Sequence, residues 1–406
     1  MMATHIILEK DFLDRAGEAR QQVPGYSAAM ATVACQQQAN SKDPEDKGPT
    51  AAAGVSYNYN KVPVPRGTLH PPPWTRRGQV KKKIIKDIVA AMASFCWTDD
   101  RGADLEPSAL AKHLSSDLPY ELSSDDIFLT AGGTQAIEVV ISVLAQPGTN
   151  ILLPRPGYPN YEARAALNKL EVRRFDLVPE RGWEIDIDSL ESIADKNTTA
   201  MVIINPNNPC GSLYTREHLE KVAEVARKLG ILVIADEVYG NLVFGETPFI
   251  PMGVFEHIAP VLSIGSLSKR WIVPGWRLGW VAVCDPKKIL QETKILTSIT
   301  NFLNVSTDPA TFIQGALPQI LENTKEDFFK RIIGLLEETS ELCYREIKDI
   351  KCITCPHKPE GSMFVMVKLN LYLLEGIHDD IDFCCKLAKE ESVIDGRLCY
   401  YSLGYF

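Results

Sequence analysis

An α/β fold, with a mainly parallel sheet covered by helices on both faces, is what three features of the sequence predict. The first is a set of short apolar runs, Ala200–Ile204, Ile231–Ala235 and Val261–Gly265, which have strand length and no alternation with polar residues, as strands buried on both faces do. The second is the helical spacing of Leu219, Val222, Ala223 and Ala226 between two of those runs, since strand alternating with helix implies parallel crossovers. The third is length. With 406 residues, and roughly 150 per domain, the chain has room for two or three domains and a sizeable core.

Residues 1–75 mix small, polar and Gln-rich pieces without a sustained period, so they read as a poorly structured N-terminal segment. Within it, His70-Pro71-Pro72-Pro73-Trp74 is a stiff, extended linker. Ile84, Ile85, Ile88, Met92 and Phe95 follow at helical spacing. A leading helix over 81–95 is therefore expected, with Lys81, Lys82 and Lys83 in its solvated first turn rather than in a basic binding patch. From Ser124 the alternation begins. A Gly-rich turn at Thr130–Thr134 opens an apolar helix that runs to the break at Pro147-Gly148, and strands follow at Asn150–Leu153 and Phe175–Val178. Thr215 is a suitable N-cap for the helix Arg216–Leu229, and Gly230 ends it. After Ile289 the pattern is helical through Tyr344, and then come the strand Ser362–Leu369 and the helix Asp380–Glu390. A large domain over residues 76–300 and a smaller C-terminal domain over 301–406 are expected.

Composition excludes several classes of function. The net charge of −9 gives a nucleic-acid partner no support, and no apolar run approaches the roughly 18 residues of a membrane span. Met1–Lys10 is too short and too polar for a secretory signal. A cytoplasmic location is expected, with the ten cysteines reduced. Cys352 and Cys355 have the spacing of a redox or zinc half-site but lack a second pair at ligand distance, so no metal is expected. Cys384 and Cys385 read as core packing in a helix.

The chemistry concentrates in Ser266–Trp280. Lys269 follows a buried strand, with Ser266 and Arg277 spaced to hold one phosphate, Ser through its hydroxyl and Arg through its planar fork. A lysine beside a phosphate cup suggests pyridoxal phosphate bound to the amine. That cofactor needs a carboxylate to keep its ring nitrogen protonated, and Asp236 stands at a strand end with Tyr239 just beyond. At about 3 Å and an effective dielectric near 20, such a pair is worth on the order of 5 kcal/mol before desolvation. Asn208, in Asn205-Pro206-Asn207-Asn208-Pro209-Cys210-Gly211, offers an amide to the phenolic oxygen, and Tyr158 an aromatic face. Gly132, Gly133 and Thr134 start a helix, where free N–H groups favour phosphate. Each piece alone is an ordinary turn or core residue; their joint order along the strand ends is what carries the reading.

From Asp117 to Val393 the chain resembles the class I aminotransferases of the tyrosine and nicotianamine aminotransferase subgroup, in a plant-like form. The segments that carry the resemblance are Asp117-Leu118-Pro119-Tyr120-Glu121-Leu122, Ile204–Gly211, Ser268-Lys269-Arg270-Trp271 and Pro359-Glu360-Gly361-Ser362-Met363-Phe364-Val365. It implies pyridoxal-phosphate fold type I, with a mainly parallel seven-stranded sheet plus a smaller α+β domain. It further implies Lys269 as the Schiff-base lysine, Asp236 as the pyridinium partner, and Asn208 and Tyr239 on the phenolic oxygen. Tyr158 would stack on the ring, and Gly132, Gly133, Thr134, Ser266 and Arg277 would hold the phosphate. A homodimer acting on an amino acid and a 2-oxo acid is implied as well.

Three departures from the pattern bear on activity. Trp97 stands where the family has a tyrosine that reaches a partner subunit's phosphate, and indole offers only one N–H. No counterpart of the family's Gly-containing substrate loop is visible between Met1 and Lys81. After Val393 the sequence differs from the family's Arg-bearing final strand, and Arg397 falls too early to replace that arginine. Transamination of an aromatic or related amino acid is the expectation. Carbon–sulfur lyase activity of the same subgroup and a cofactor-binding but impaired homologue are the alternatives.

Overall fold

The structure is a computed structural model that describes residues 5–9 and 105–390. The expected helix 81–95, the linker at 70–74, Trp97 and the tail with Arg397 lie outside the described residues. The strands, in chain order, are β1 (His5–Glu9), β2 (Ile127–Thr130), β3 (Asn150–Arg155), β4 (Glu171–Val178), β5 (Glu184–Ile185) and β6 (Thr198–Ile204), then β7 (Leu232–Asp236), β8 (Val261–Ser266), β9 (Gly279–Cys284), β10 (Ile353–Thr354) and β11 (Phe364–Leu369). Eight of them form one sheet in the order β2-β9-β8-β7-β6-β3-β4-β5. The pairings from β8 through β7, β6 and β3 to β4 are parallel. Only β9, between β2 and β8, and the edge strand β5 run antiparallel to their neighbours. The sheet thus has eight strands where seven were expected. The addition is β5, whose two residues are too few to show any period.

Alternation explains why the central runs are apolar throughout. Along β6, Ala200, Val202 and Ile204 enter one core with helix Gly133–Leu144, while Met201 and Ile203 enter the other with helix Arg216–Leu229. β7 divides likewise, Leu232 and Ile234 on one side and Val233 and Ala235 on the other. Both faces are dry, so a polar residue inside either strand would be buried without a partner. The helix Arg216–Leu229 has the caps its sequence requires: Thr215 Oγ1 accepts from the His218 amide at 3.2 Å, and Gly230 closes it at φ 66°.

A second sheet has the order β1-β11-β10. The segment read as poorly structured contains its edge: His5–Glu9 pairs in parallel with Phe364–Lys368. A three-residue apolar core, Ile6-Ile7-Leu8, is too short to reveal a strand without its partner. β11 is also two-faced, with Val365, Val367 and Leu369 packing with Ile347 of helix Glu326–Lys348 and with Cys384. Phe364 and Met366 on its other face join the larger core. Cys355 is half-buried among the same apolar residues. Its Sγ lies 3.1 Å from the His357 carbonyl and 3.4 Å from that of Met366. Among the described residues no cluster of His, Cys, Asp or Glu could hold a metal, and no helix is long and apolar enough to cross a membrane.

Candidate active site

The sheet's topology collects the singled-out residues at one end. β2, β3, β6, β7 and β8 all finish there, and antiparallel β9 begins there at Gly279. Register makes this concrete, because Gly279 lies opposite Thr130 on one side and Ser266 on the other. A Cβ on Gly279 would stand 2.6 Å from the Gly132 carbonyl carbon and the Gly133 nitrogen. Only glycine lets the helix-opening turn lie so close to the strand. Gly132 itself is the N-cap of helix Gly133–Leu144 at φ 83°, where an L side chain is strained, and a Cβ there would collide with the Arg277 guanidinium. Thr134 is exposed in the first turn of that helix.

Arg277 is exposed, and two backbone carbonyls hold it: Nη1 donates to Pro274 at 2.8 Å and Nη2 to Ala131 at 3.0 Å. Ser266 is buried and caps the short helix Leu267–Arg270, its Oγ accepting from the Ser268 amide at 3.1 Å and standing 2.9 Å from Ser268 Oγ. Ser266 Cβ lies 3.8 Å from where a Cβ on Gly133 would be. These residues bring helix N–H groups, hydroxyls and a guanidinium to one place, a donor set that suits a phosphate group.

Asp236, 3% exposed, ends β7. Its Oδ2 accepts from the Tyr161 hydroxyl at 3.0 Å and its Oδ1 from the Val238 amide at 3.4 Å. Burial pushes its carboxyl up to about 6 against the opposing pull of those donors and of the Lys269 charge. A buried carboxylate held this way fits a cationic N–H partner, since a cation would return the pKa to the ordinary range. Lys269 Nζ stands 5.4 Å from the centroid of the buried Tyr239 ring, which packs edge-on against Phe364. Asn208 is buried on the turn after β6, where the Asn205 amide donates to the Asp236 carbonyl at 3.0 Å. Tyr158, the N-cap of helix Pro159–Leu167, meets Tyr161 edge-on at 6.5 Å. All ten residues singled out in the sequence therefore stand at one sheet end. Two were passed over. Tyr161, 1% exposed, was not singled out, although its position one turn after Tyr158 was a usable signal. Ser268 sits within the lysine motif.

Residues 81–399 match the family model described as Aminotransferase class I and II. The chain belongs to that family. The family's cofactor is pyridoxal 5'-phosphate. The chain is 76% identical over 333 residues to nicotianamine aminotransferase 1 of Oryza sativa subsp. japonica, covering 82% of this chain and 67% of the relative. It is 81% identical over 300 residues to nicotianamine aminotransferase A of Hordeum vulgare, covering 74% of this chain and 65% of the relative. The chain thus spans about two thirds of the length of these curated relatives, which support the tyrosine/nicotianamine subgroup. The tyrosine aminotransferase from Leishmania infantum shares the fold at a TM-score of 0.69 and 26% identity, over 77% of this chain and 78% of that one.

Proposed function

We propose that this chain catalyses pyridoxal-phosphate-dependent transamination of an amino acid of the tyrosine or nicotianamine type, giving its 2-oxo acid, and works as a homodimer. The observation that carries the reading is Asp236, a buried carboxylate at a strand end that accepts from the Tyr161 hydroxyl and the Val238 amide, with Lys269 close enough to shift its pKa. When bound, the cofactor supplies an electron sink for the pair left behind as the substrate's Cα proton departs. Asp236 would hold the proton on the ring nitrogen, with the Tyr161 hydroxyl fixing the carboxylate. Lys269 would hold the cofactor through its Nζ amine, and the same amine would serve as the base that takes up and returns the substrate proton. Asn208 and Tyr239 would bind the phenolic oxygen, and Tyr158 would offer its face to the ring. Gly132, Gly133 and Thr134 offer N–H groups, and Ser266 and Arg277 complete the phosphate pocket. Removal of the Cα proton also begins carbon–sulfur lysis. The names of the relatives at 76% and 81% identity support transamination.

The test uses the full chain. The purified protein should absorb in the visible with pyridoxal phosphate, and borohydride should fix the cofactor on Lys269 alone. Mixed with nicotianamine or tyrosine and a 2-oxo acid acceptor, it should form the matching 2-oxo acid without releasing a thiol. Label on another lysine, or no exchange of amino groups with either donor, would overturn the reading.

A further inference from the structure

Lys269 lies on a helix of four residues, Leu267–Arg270. One turn is not stable by itself, because nucleation fixes several residues for a single hydrogen bond. The direction of its side chains is therefore set by what grips its ends. Ser266 caps the N-terminal end. At the other end the Arg270 guanidinium carbon stands 4.5 Å from the Phe329 ring centroid and 5.0 Å from that of Trp271, and Nη1 is 3.0 Å from Nε2 of His113. Trp271 donates its indole N–H to Thr324 Oγ1 at 3.1 Å. The turn that carries Lys269 is thereby bolted to helix Leu105–Ser115 and to Phe329 in helix Glu326–Lys348, whose far end packs on β11 through Ile347.

We propose that Arg270 is a positioning residue for Lys269: its flat cation, held among Trp271, Phe329 and His113, fixes the turn so that the lysine amine meets the cofactor aldehyde. The inference rests on the reading of Lys269 as the cofactor lysine. In the step concerned the Lys269 nitrogen bonds to the aldehyde carbon and the aldehyde oxygen leaves as water. Misplacement by about 1 Å in such a step costs roughly a hundredfold. A lysine at 270 keeps the charge but lacks the planar guanidinium that meets the two rings.

The experiment compares the full chain with Arg270→Met, Arg270→Lys and Phe329→Leu for two probes. Pyridoxal phosphate reports covalent capture, followed by visible absorbance and by intact mass after borohydride. Pyridoxamine phosphate fills the same pocket but has no aldehyde. The expected result is that Arg270→Met slows capture by about ten- to a hundredfold and leaves pyridoxamine phosphate affinity within about threefold, with Arg270→Lys and Phe329→Leu in between. Equal losses for both probes in all three variants, or unchanged capture, would overturn the proposal and leave Arg270 a packing residue. Capture by the unsubstituted chain on a lysine other than Lys269 would instead defeat the reading beneath it, which a Lys269→Ala control identifies.

Discussion

Asp236 ties stability to function through a single proton. Burial raises its folded pKa to about 6, above the roughly 3.9 of an unfolded aspartate. The folded chain therefore binds the proton more tightly, and the stabilisation is complete below about pH 3.9 and lost as pH rises through about 6. The two-unit difference is worth on the order of 3 kcal/mol. Thermal melts of the cofactor-free chain should show Asp236→Asn gaining on the parent as pH rises from 4 to 7, and the gap closing at the acid end. A gap independent of pH would mean that Asp236 titrates normally. The same variant should bind cofactor and lose most of its turnover, because an amide does not hold the ring proton. Tyr161→Phe removes a hydrogen bond to a charged group, worth about 1.5–3 kcal/mol, and should lower kcat by less than Asp236→Asn does. The places of Asp236 at one strand end and of Lys269 just past another were legible because each follows an apolar run of strand length. Tyr161 was not, because an aromatic inside a helix is usually core, and only the fold brings its hydroxyl to a carboxylate 75 residues away.

Elements were legible where local chemistry decides them. The helix Arg216–Leu229 was bounded correctly from Thr215 and Gly230 because a hydroxyl cap and a left-handed glycine act within a few residues of themselves. β5 and β1 were missed because a two-residue strand and an edge strand exist only through their partners. Gly279 belongs with these: alone it is one glycine among 26, yet its lack of a side chain allows β9 to lie against the Gly132 turn. Gly279→Ala pushes a methyl group against backbone, which costs about 1–3 kcal/mol in strain. The expected outcome is a folded protein, by circular dichroism, whose pyridoxal phosphate affinity falls roughly ten- to a hundredfold, since the turn and Ser266 move apart. Parent-like affinity would show that the turn gives way without disturbing the pocket.

Across the whole molecule, β1 joins residues 5–9 to β11, more than 350 positions later. β11 lies between β1 and β10 in its sheet, so deletion of residues 1–9 should expose the backbone of one edge. Amide exchange at Phe364–Leu369 should quicken in the shortened chain while β6 and β7 stay protected, and equal protection of β11 would show that the strand is dispensable. The order β2-β9-β8 has a kinetic side too. β9 is the last of the eight strands to be synthesised but sits between two made earlier, so during synthesis β2 and β8 wait for a strand that inserts between them. The donors that suit a phosphate come from residues following β2, ending β8 and preceding β9, and they are brought together only at that insertion. A ligand that binds there stabilises the chain by mass action only after the sheet has closed. Free cofactor in the medium would then act as a latch on the closure of the eight-stranded sheet, and chains that have missed it would be the ones left open to proteolysis.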